Sequence, residues 1–157
     1  MVVIRHGTQA DVAPAATIWG AAIGDLGDHT GELRAKLAQP GSFWVVAEDG
    51  GEVTGTAVCV PALERDGAGP GLVPGLCHLT MVGVAPERWG QGIGGALVDA
   101  LLAGAAARGF TAAQLWADPA NPRAVRLYTG RGFAATGRGD GDAHYHMALP
   151  GSSPEIR

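Results

Sequence analysis

The sequence predicts an α/β domain: a mixed, mostly antiparallel sheet of about seven strands with helices on both faces. Three observations carry that expectation. Strand-like and helix-like stretches run in the order strand, two helices, three strands, helix, strand, helix, two strands. The hairpin-rich front half calls for antiparallel pairing, whereas a strand–helix–strand segment behind it calls for a parallel crossover. A chain of 157 residues, 46% of them hydrophobic, supplies one real core but is too short for two ordinary domains.

Taken in order, Val2–Arg5 is a β-branched run and a first strand. Thr8 or Asp11 can cap the following helix, whose apolar set Val12, Ala15, Ala16, Ile18, Trp19, Ala22 and Ile23 keeps the helical period. Gly24–Gly31 breaks that pattern, and a second short helix over Glu32–Gln39 stops at Pro40-Gly41. Ser42–Ala47 and Val53–Val60 form a hairpin across the turn Glu48-Asp49-Gly50-Gly51. Pro61–Gly75, with four glycines and three prolines, reads as a loop, and Leu76–Val84 as the next strand. A turn at Ala85–Trp89 leads into a long helix, Ile93–Arg108, ended by Gly109. Asp99 is the only charge between its first turn and Arg108, so the helix is expected to be wedged between layers. Ala112–Ala117 is a strand, Asn121-Pro122 opens a helix to Gly130, and strands near Phe133–Thr136 and His144–Leu149 close the domain. Residues 1–150 read as that single domain and 151–157 as a C-terminal tail.

Composition removes several classes of function. The formal net charge is −4, Lys36 is the only lysine, and the arginines are scattered, so a nucleic-acid surface is excluded. No run approaches the roughly 18 apolar residues of a membrane span, and no secretory signal opens the chain. Two cysteines, Cys59 and Cys77, are too few for a disulfide framework and read as buried free thiols of a cytoplasmic protein. His78, His144 and His146 lack ligand-like spacing, so no metal is expected.

Glycine is the compositional outlier, 26 of 157 residues, and its densest cluster is Trp89-Gly90-Gln91-Gly92-Ile93-Gly94-Gly95. The cluster follows a strand and heads a helix. Peptide N–H groups without intrahelical partners point out of such a helix start, and the helix dipole adds partial positive charge. Glycines let a ligand approach this backbone closely, so the site suits a pyrophosphate. The Gly-Lys-Ser/Thr of a nucleotide-hydrolysing loop is absent. Gly90, Gly92 and Gly95 do match the dinucleotide spacing G-x-G-x-x-G. Pro86-Glu87-Arg88 separates them from the strand, however, and the chain left after Gly95 is short for such a sheet, so a dinucleotide oxidoreductase is a remote alternative.

Two motifs stand in order along the chain. The first is an apolar strand ending Val84-Ala85-Pro86, followed by Trp89, Gly92 and Gly94. The second is Asn121, Ala124, Tyr128, Gly132 and Phe133, which run across a helix into the next strand. Together they resemble the GNAT superfamily of acetyl-CoA-dependent N-acetyltransferases, in which Arg or Gln is usual at the place of Trp89. The resemblance is close over about Leu76–Phe133. It implies a cofactor site built from Val82, Val84, Trp89, Gly90, Gln91, Gly92, Ile93, Gly94, Gly95, Asn121, Ala124 and Tyr128. It also implies that two strands splay apart to admit acetyl-CoA as co-substrate. Asn121 before Pro122 is also an ideal helix cap, and Arg88, Arg123 and Arg126 are candidate phosphate partners.

What the resemblance implies chemically is direct acetyl transfer from a thioester to a primary amine through a tetrahedral intermediate. The amine would belong to a small molecule or a peptide amino terminus. The Val82 N–H would contact the oxyanion, with Gly83 relaxing the strand into a bulge, and Tyr128 would protonate the departing thiolate. The base stays open between His78, a histidine of the last strand (His144 or His146) and water. Asp25, Asp28, His29 and Glu32 could receive a cationic acceptor, and Trp19, Phe43 and Trp44 could shape an apolar acceptor pocket. A homodimer is left open. The alternative of a different class is a non-catalytic acyl-CoA-binding or sensing domain.

Overall fold

The structure is a computed structural model that describes residues 1–63 and 71–150. It contains strands β1 (Val2–His6), β2 (Phe43–Asp49), β3 (Glu52–Leu63), β4 (Leu72–Val84), β5 (Ala112–Ala117), β6 (Ala134–Ala135) and β7 (Ala143–Ala148). The α-helices are α1 (Val12–Ile23), α2 (Thr30–Leu37), α3 (Ile93–Ala107) and α4 (Pro122–Thr129). The strands form one seven-stranded mixed sheet in the order β1-β2-β3-β4-β5-β7-β6. The β4–β5 pair is parallel, while β1–β2, β2–β3, β5–β7 and β6–β7 are antiparallel. The tail expected at 151–157 lies outside the described residues.

Two element boundaries depart from expectation for physical reasons. The strands of the first hairpin run on to Asp49 and resume at Glu52, leaving Gly50-Gly51 as the whole turn. Both glycines have positive φ (62° and 89°), the backbone that a tight two-residue hairpin demands. The expected loop at Pro61–Gly75 is largely strand, since β3 continues to Leu63 and β4 begins at Leu72. Pairing between neighbouring strands overrides the turn signal of Pro61, Pro74 and Gly75 there.

The chain divides into two compact units: Met1–Val60 with Thr80–Leu101, and Pro61–Leu79 with Leu102–Arg157. In the first, Val12, Ala15, Ala16, Leu33, Trp44, Val46, Val58, Val60 and Met81 make one apolar cluster, against which Trp19 and Leu37 pack. The apolar period of α1 thus faces strand side chains, and Gly24 at φ 75° ends the helix. The start of α1 is held electrostatically. Asp11 accepts hydrogen bonds from the Thr8 N–H (2.7 Å) and hydroxyl (3.0 Å) and takes a two-pronged bond from Arg5 (2.8 and 2.9 Å). In the second unit, β5 lies between β4, paired at Leu76–His78, and β7, paired along its whole length. Cys59 and Cys77 are fully buried thiols outside any disulfide.

The long helix α3 is not wedged between layers. Ile93, Leu97, Val98, Leu101, Leu102 and Ala105 are buried, whereas Asp99, Ala103 and Ala107 are exposed. Its outer face is made of small residues instead of charges, which composition alone reads as apolar all round. No helix among the described residues is long and apolar enough to cross a membrane.

The guanidinium of Arg5, with help from the Thr8 backbone and hydroxyl, draws the Asp11 carboxyl down to about 2. A carboxyl depressed in the fold contributes stability above its unfolded value, and that contribution disappears as pH falls through the folded one. Asp11→Asn is therefore expected to cost about 2 kcal/mol at pH 7, measured by urea unfolding. The difference from wild type should shrink between pH about 4 and about 2, and vanish below that.

Candidate active site

In the first unit the candidate residues follow one another along β4 and into α3. A short 3-10 turn at Pro86–Arg88 ends β4 and swings the chain into the glycine cluster. Gly90 and Gly92 have left-handed φ values of 85° and 81°, and a side chain on either would meet no atom within 4 Å. Glycine is required at both by backbone conformation, not by crowding, and the space in front of them is open. The first helical bond of α3 runs from the Ala96 N–H to the Gly92 carbonyl (3.1 Å). The N–H groups of Ile93, Gly94 and Gly95 therefore precede the helical ladder, where the positive end of the dipole lies.

Trp89 is 40% exposed, and its indole N–H donates to the Val84 carbonyl (2.9 Å), tying the loop back to the end of β4. Arg88, considered for a phosphate, is committed elsewhere: it binds Asp49 at 2.8 Å and reaches Glu52 at 3.8 Å, bracing the first hairpin. That neighbourhood raises the Arg88 guanidinium pKa and lowers that of Asp49, so both stay charged.

Upstream of the loop, β4 holds a backbone outlier. Met81 is a non-glycine residue at φ 52°, immediately before Val82, and its side chain is buried in the core of the first unit. The local departure expected at Gly83 thus falls at Met81. Gly83 serves another purpose: a Cβ there would meet Ala22 Cβ at 3.2 Å and Trp19 Cε3 at 3.3 Å, so its absence lets α1 lie close. A left-handed residue breaks the regular alternation of the strand and re-aims the peptide that follows, here the one carrying the Val82 N–H. Beside it, the Trp19 Nε1 atom is buried with no hydrogen-bond partner among the described residues. No sequence signal marks such a donor, because only packing decides whether an indole finds a partner.

The acidic group between α1 and α2 is bonded within its own turn. The Asp25 carboxylate accepts the Gly27 N–H (3.0 Å), and Asp28 accepts the Thr30 N–H (2.9 Å). The His29 ring contacts the Asp25 carbonyl (2.8 Å) and Glu32 (3.2 Å), contacts that raise its pKa. Of the aromatic candidates, Phe43 and Trp44 are buried, Trp44 in the core cluster, and Trp19 packs against that cluster.

In the second unit, Asn121 caps α4: its side-chain oxygen accepts the Ala124 N–H at 3.2 Å, with Pro122 in the first helical position. Ala124 and Tyr128, four residues apart, share one side of this helix. Arg123 and Arg126 are on its exposed side. After α4, Gly132 at φ 105° turns the chain, and Phe133 folds back edge-on against the Tyr128 ring (5.9 Å, 82°). Tyr128 is buried, which pushes its phenol up to about 12.

The same unit carries the histidines. His78 is half-buried on β4 and pairs in register with Gln114 of β5. His144 is 3% exposed, and its ring is engaged at Nε2 by Gln114 (2.8 Å) and at Nδ1 by Thr136 (2.8 Å); His146 is exposed. Sequence reasoning found the histidines but not Gln114, whose role depends on which strands are neighbours.

These sites fall inside a recognisable family pattern. Residues 15–133 match the model of the acetyltransferase (GNAT) family. The chain belongs to that family. It is 34% identical over 125 residues to N-acetyltransferase family 8 member 2 of Rattus norvegicus, covering 80% of this chain and 49% of that protein. It is 45% identical over 72 residues to a mycothiol acetyltransferase of Stackebrandtia nassauensis, covering 46% of this chain and 22% of that protein. The chain thus spans half or less of the length of these relatives. Its fold matches that of yncA, a putative acetyltransferase from Salmonella typhimurium solved with its cofactor acetyl-CoA (TM-score 0.76, 22% identity, 95% of this chain and 94% of that one).

The cap on α4 is testable apart from any chemistry. Asn121→Ala is expected to lower stability by about 1 kcal/mol, seen as a lower melting temperature. Faster amide exchange should be confined to the first turn of α4.

Proposed function

We propose that the chain is an N-acetyltransferase that moves an acetyl group from acetyl-CoA to a primary amine of a small molecule or a peptide amino terminus. The observation that carries this reading is the head of α3: open space in front of two left-handed glycines, and a row of peptide N–H groups at the positive end of a helix. Backbone donors in that arrangement suit a diphosphate. Support comes from the matched family, from relatives named as acetyltransferases, and from the Salmonella protein solved with acetyl-CoA. One relative's name carries mycothiol and the other's names no acceptor, so they favour acetyl transfer without selecting an amine.

In this reading, acetyl-CoA supplies an acetyl group already activated as a thioester. Gly90–Gly95 hold its diphosphate, with Gln91 and Ile93 contributing backbone, while Trp89 keeps the loop against β4 and Val84 continues the contact along the strand. The Val82 N–H, aimed by Met81, stabilises negative charge on the carbonyl oxygen. Asn121 and Ala124 set the start of α4 and so place Tyr128. His78 accepts the amine proton, since both nitrogens of His144 already have partners and His78 is half-buried where His146 is exposed. Transfer from a thioester to an amine needs no metal.

Burial pushes the Tyr128 phenol up to about 12, so it keeps its proton near neutral pH and can donate it toward the departing thiolate. The buried thiols Cys59 and Cys77, outside any disulfide, suit a reducing compartment such as the cytoplasm.

Acetyl-CoA is expected to raise the melting temperature while NAD does not. Gly92→Glu should abolish that rise, because a carboxylate would sit against the diphosphate. Turnover is read by thiol release over a panel of amine classes. Tyr128→Phe should lower kcat about 10- to 100-fold with KM for acetyl-CoA changed less than about twofold. Since the phenol stays protonated until about 12, kcat should show no Tyr128-linked loss up to pH about 10. Thermal stabilisation by acetyl-CoA with no thiol release for any amine would instead indicate a binding or sensing domain.

A further inference from the structure

Below the candidate base lies a chain of polar side chains that the reading above does not use. Gln114 Nε2 approaches His78 Nδ1 at 3.4 Å, and Gln114 Oε1 approaches His144 Nε2 at 2.8 Å. His144 Nδ1 meets the Thr136 hydroxyl at 2.8 Å. That hydroxyl also accepts the Arg138 N–H (3.3 Å) and lies 3.3 Å from the His144 carbonyl. Trp116 closes one side, its ring 5.1 Å from that of His144, with the Arg138 guanidinium 5.8 Å over the indole. Gln114 is 2% exposed and His144 3%, whereas His78 is half-buried and Thr136 exposed, so water cannot readily replace the Gln114–His144 contact at the centre of the chain.

Hydrogens fit this chain in two self-consistent orders. In the first, the Gln114 amide N–H donates to His78 Nδ1, His144 Nε2–H donates to Gln114 Oε1, and the Thr136 hydroxyl donates to His144 Nδ1. His78 then carries its own proton on Nε2. In the second, the amide is turned over. His78 Nδ1–H donates to Oε1, the amide N–H donates to His144 Nε2, and His144 Nδ1–H donates to Thr136 Oγ1. The Thr136 hydroxyl then donates to the His144 carbonyl, the 3.3 Å contact already in place. Mixed orders set donor against donor or lone pair against lone pair at buried atoms.

We propose that Gln114, steadied by His144 and Thr136, is the positioning residue that selects the tautomer of His78, and that its turned-over amide makes His78 Nε2 the proton acceptor. The proposal rests on the reading of His78 as the base for the amine. In the first order Nε2 already bears a proton, and the remaining lone pair, on Nδ1, faces an amide N–H. In the second order Nε2 has the lone pair. When the amine nitrogen gives up its proton to Nε2, the imidazolium keeps its Nδ1–H on the Gln114 oxygen, so no donor is stranded. Both orders place the proton on the like-named nitrogen of His78 and His144. Gln114→Glu breaks that rule, since a carboxylate accepts from both rings and should hold His78 as Nδ1–H and His144 as Nε2–H.

The test uses the full chain with 15N-labelled histidine, with two-bond proton–nitrogen spectra assigned through His78→Gln and His144→Gln. Wild type is expected to show the Nδ1–H tautomer at both 78 and 144, and Gln114→Glu Nδ1–H at 78 with Nε2–H at 144. Unlike tautomers in wild type, or a Gln114→Glu spectrum identical to wild type, would overturn the coupling, and Nε2–H at both positions in wild type would overturn the turned-over amide. Turnover is measured beside it: Gln114→Met should lower kcat at least tenfold while KM for acetyl-CoA moves less than twofold, and Gln114→Glu should restore most of that loss. If Gln114→Glu does not fold, the wild-type tautomers and Gln114→Met still decide the matter. A Gln114→Met enzyme as fast as wild type would reject the positioning role. Thiol release absent for every amine would reject the acetyl-transfer reading instead, leaving the coupling to stand or fall on the spectra.

Discussion

The rest of the structure depends on the head of α3, where the N–H groups of Ile93, Gly94 and Gly95 precede the helical ladder. Helix starts normally bury or cap their first N–H groups, and an uncapped start is a cost unless a ligand or water accepts them. Here the residues that enter α3 are Gly90 and Gly92 in left-handed conformations, with nothing in front of the positions their side chains would take. Holding that loop requires rigid neighbours. Trp89 supplies one tie, through its indole to Val84, and Arg88 another, through Asp49 at the end of β2. Ala85 adds a third, its N–H bonded to the Thr54 carbonyl at 2.9 Å. Trp89 and Arg88, which look like ligand contacts in the sequence, here brace the loop.

A second theme is strain held by burial. Met81 adopts a conformation that glycine would take more cheaply, yet its side chain is 2% exposed among the residues that join α1 and α2 to the strands. The core gains enough from that side chain to offset a backbone penalty of about 1 kcal/mol or more. Glycine at 81 would relax the backbone and empty the core; the neighbouring glycine at 83 is spent instead on letting α1 approach. One short stretch of β4 thus needs a large residue in an unfavourable conformation and a missing side chain in a favourable one.

What was legible in the sequence was whatever local chemistry controls. The glycine cluster before a helix, the Asn121-Pro122 cap, and the Gly132-Phe133 turn are contiguous signals, and the structure puts each on the expected element. The hairpin at Gly50-Gly51 was legible to within two residues, because positive φ is a demand that glycine advertises. What stayed hidden depended on register or distance. Arg88 meets Asp49 across 39 positions, and Gln114 meets His144 across 30. No period in either segment announces those pairs. Met81 carries no mark of its left-handed backbone, and the outer face of α3 could not be told from its inner face, since alanine serves equally on both.

The three histidines of the second unit show why a residue list under-describes a site. By type and spacing His78, His144 and His146 were equivalent candidates. Pairing in the sheet separates them. The β5–β7 register sets Trp116 opposite His144 and Gln114 opposite His146, so His144 lies on the diagonal from Gln114 and reaches its amide from there. His146, directly across, remains exposed. Once His144 has Thr136 on one nitrogen and Gln114 on the other, its capacity is used up in orienting the amide. The amide in turn reaches the one histidine that pairs with it from β4. Chemical identity made three candidates, and the hydrogen bonds of a single glutamine join two of them and leave out the third.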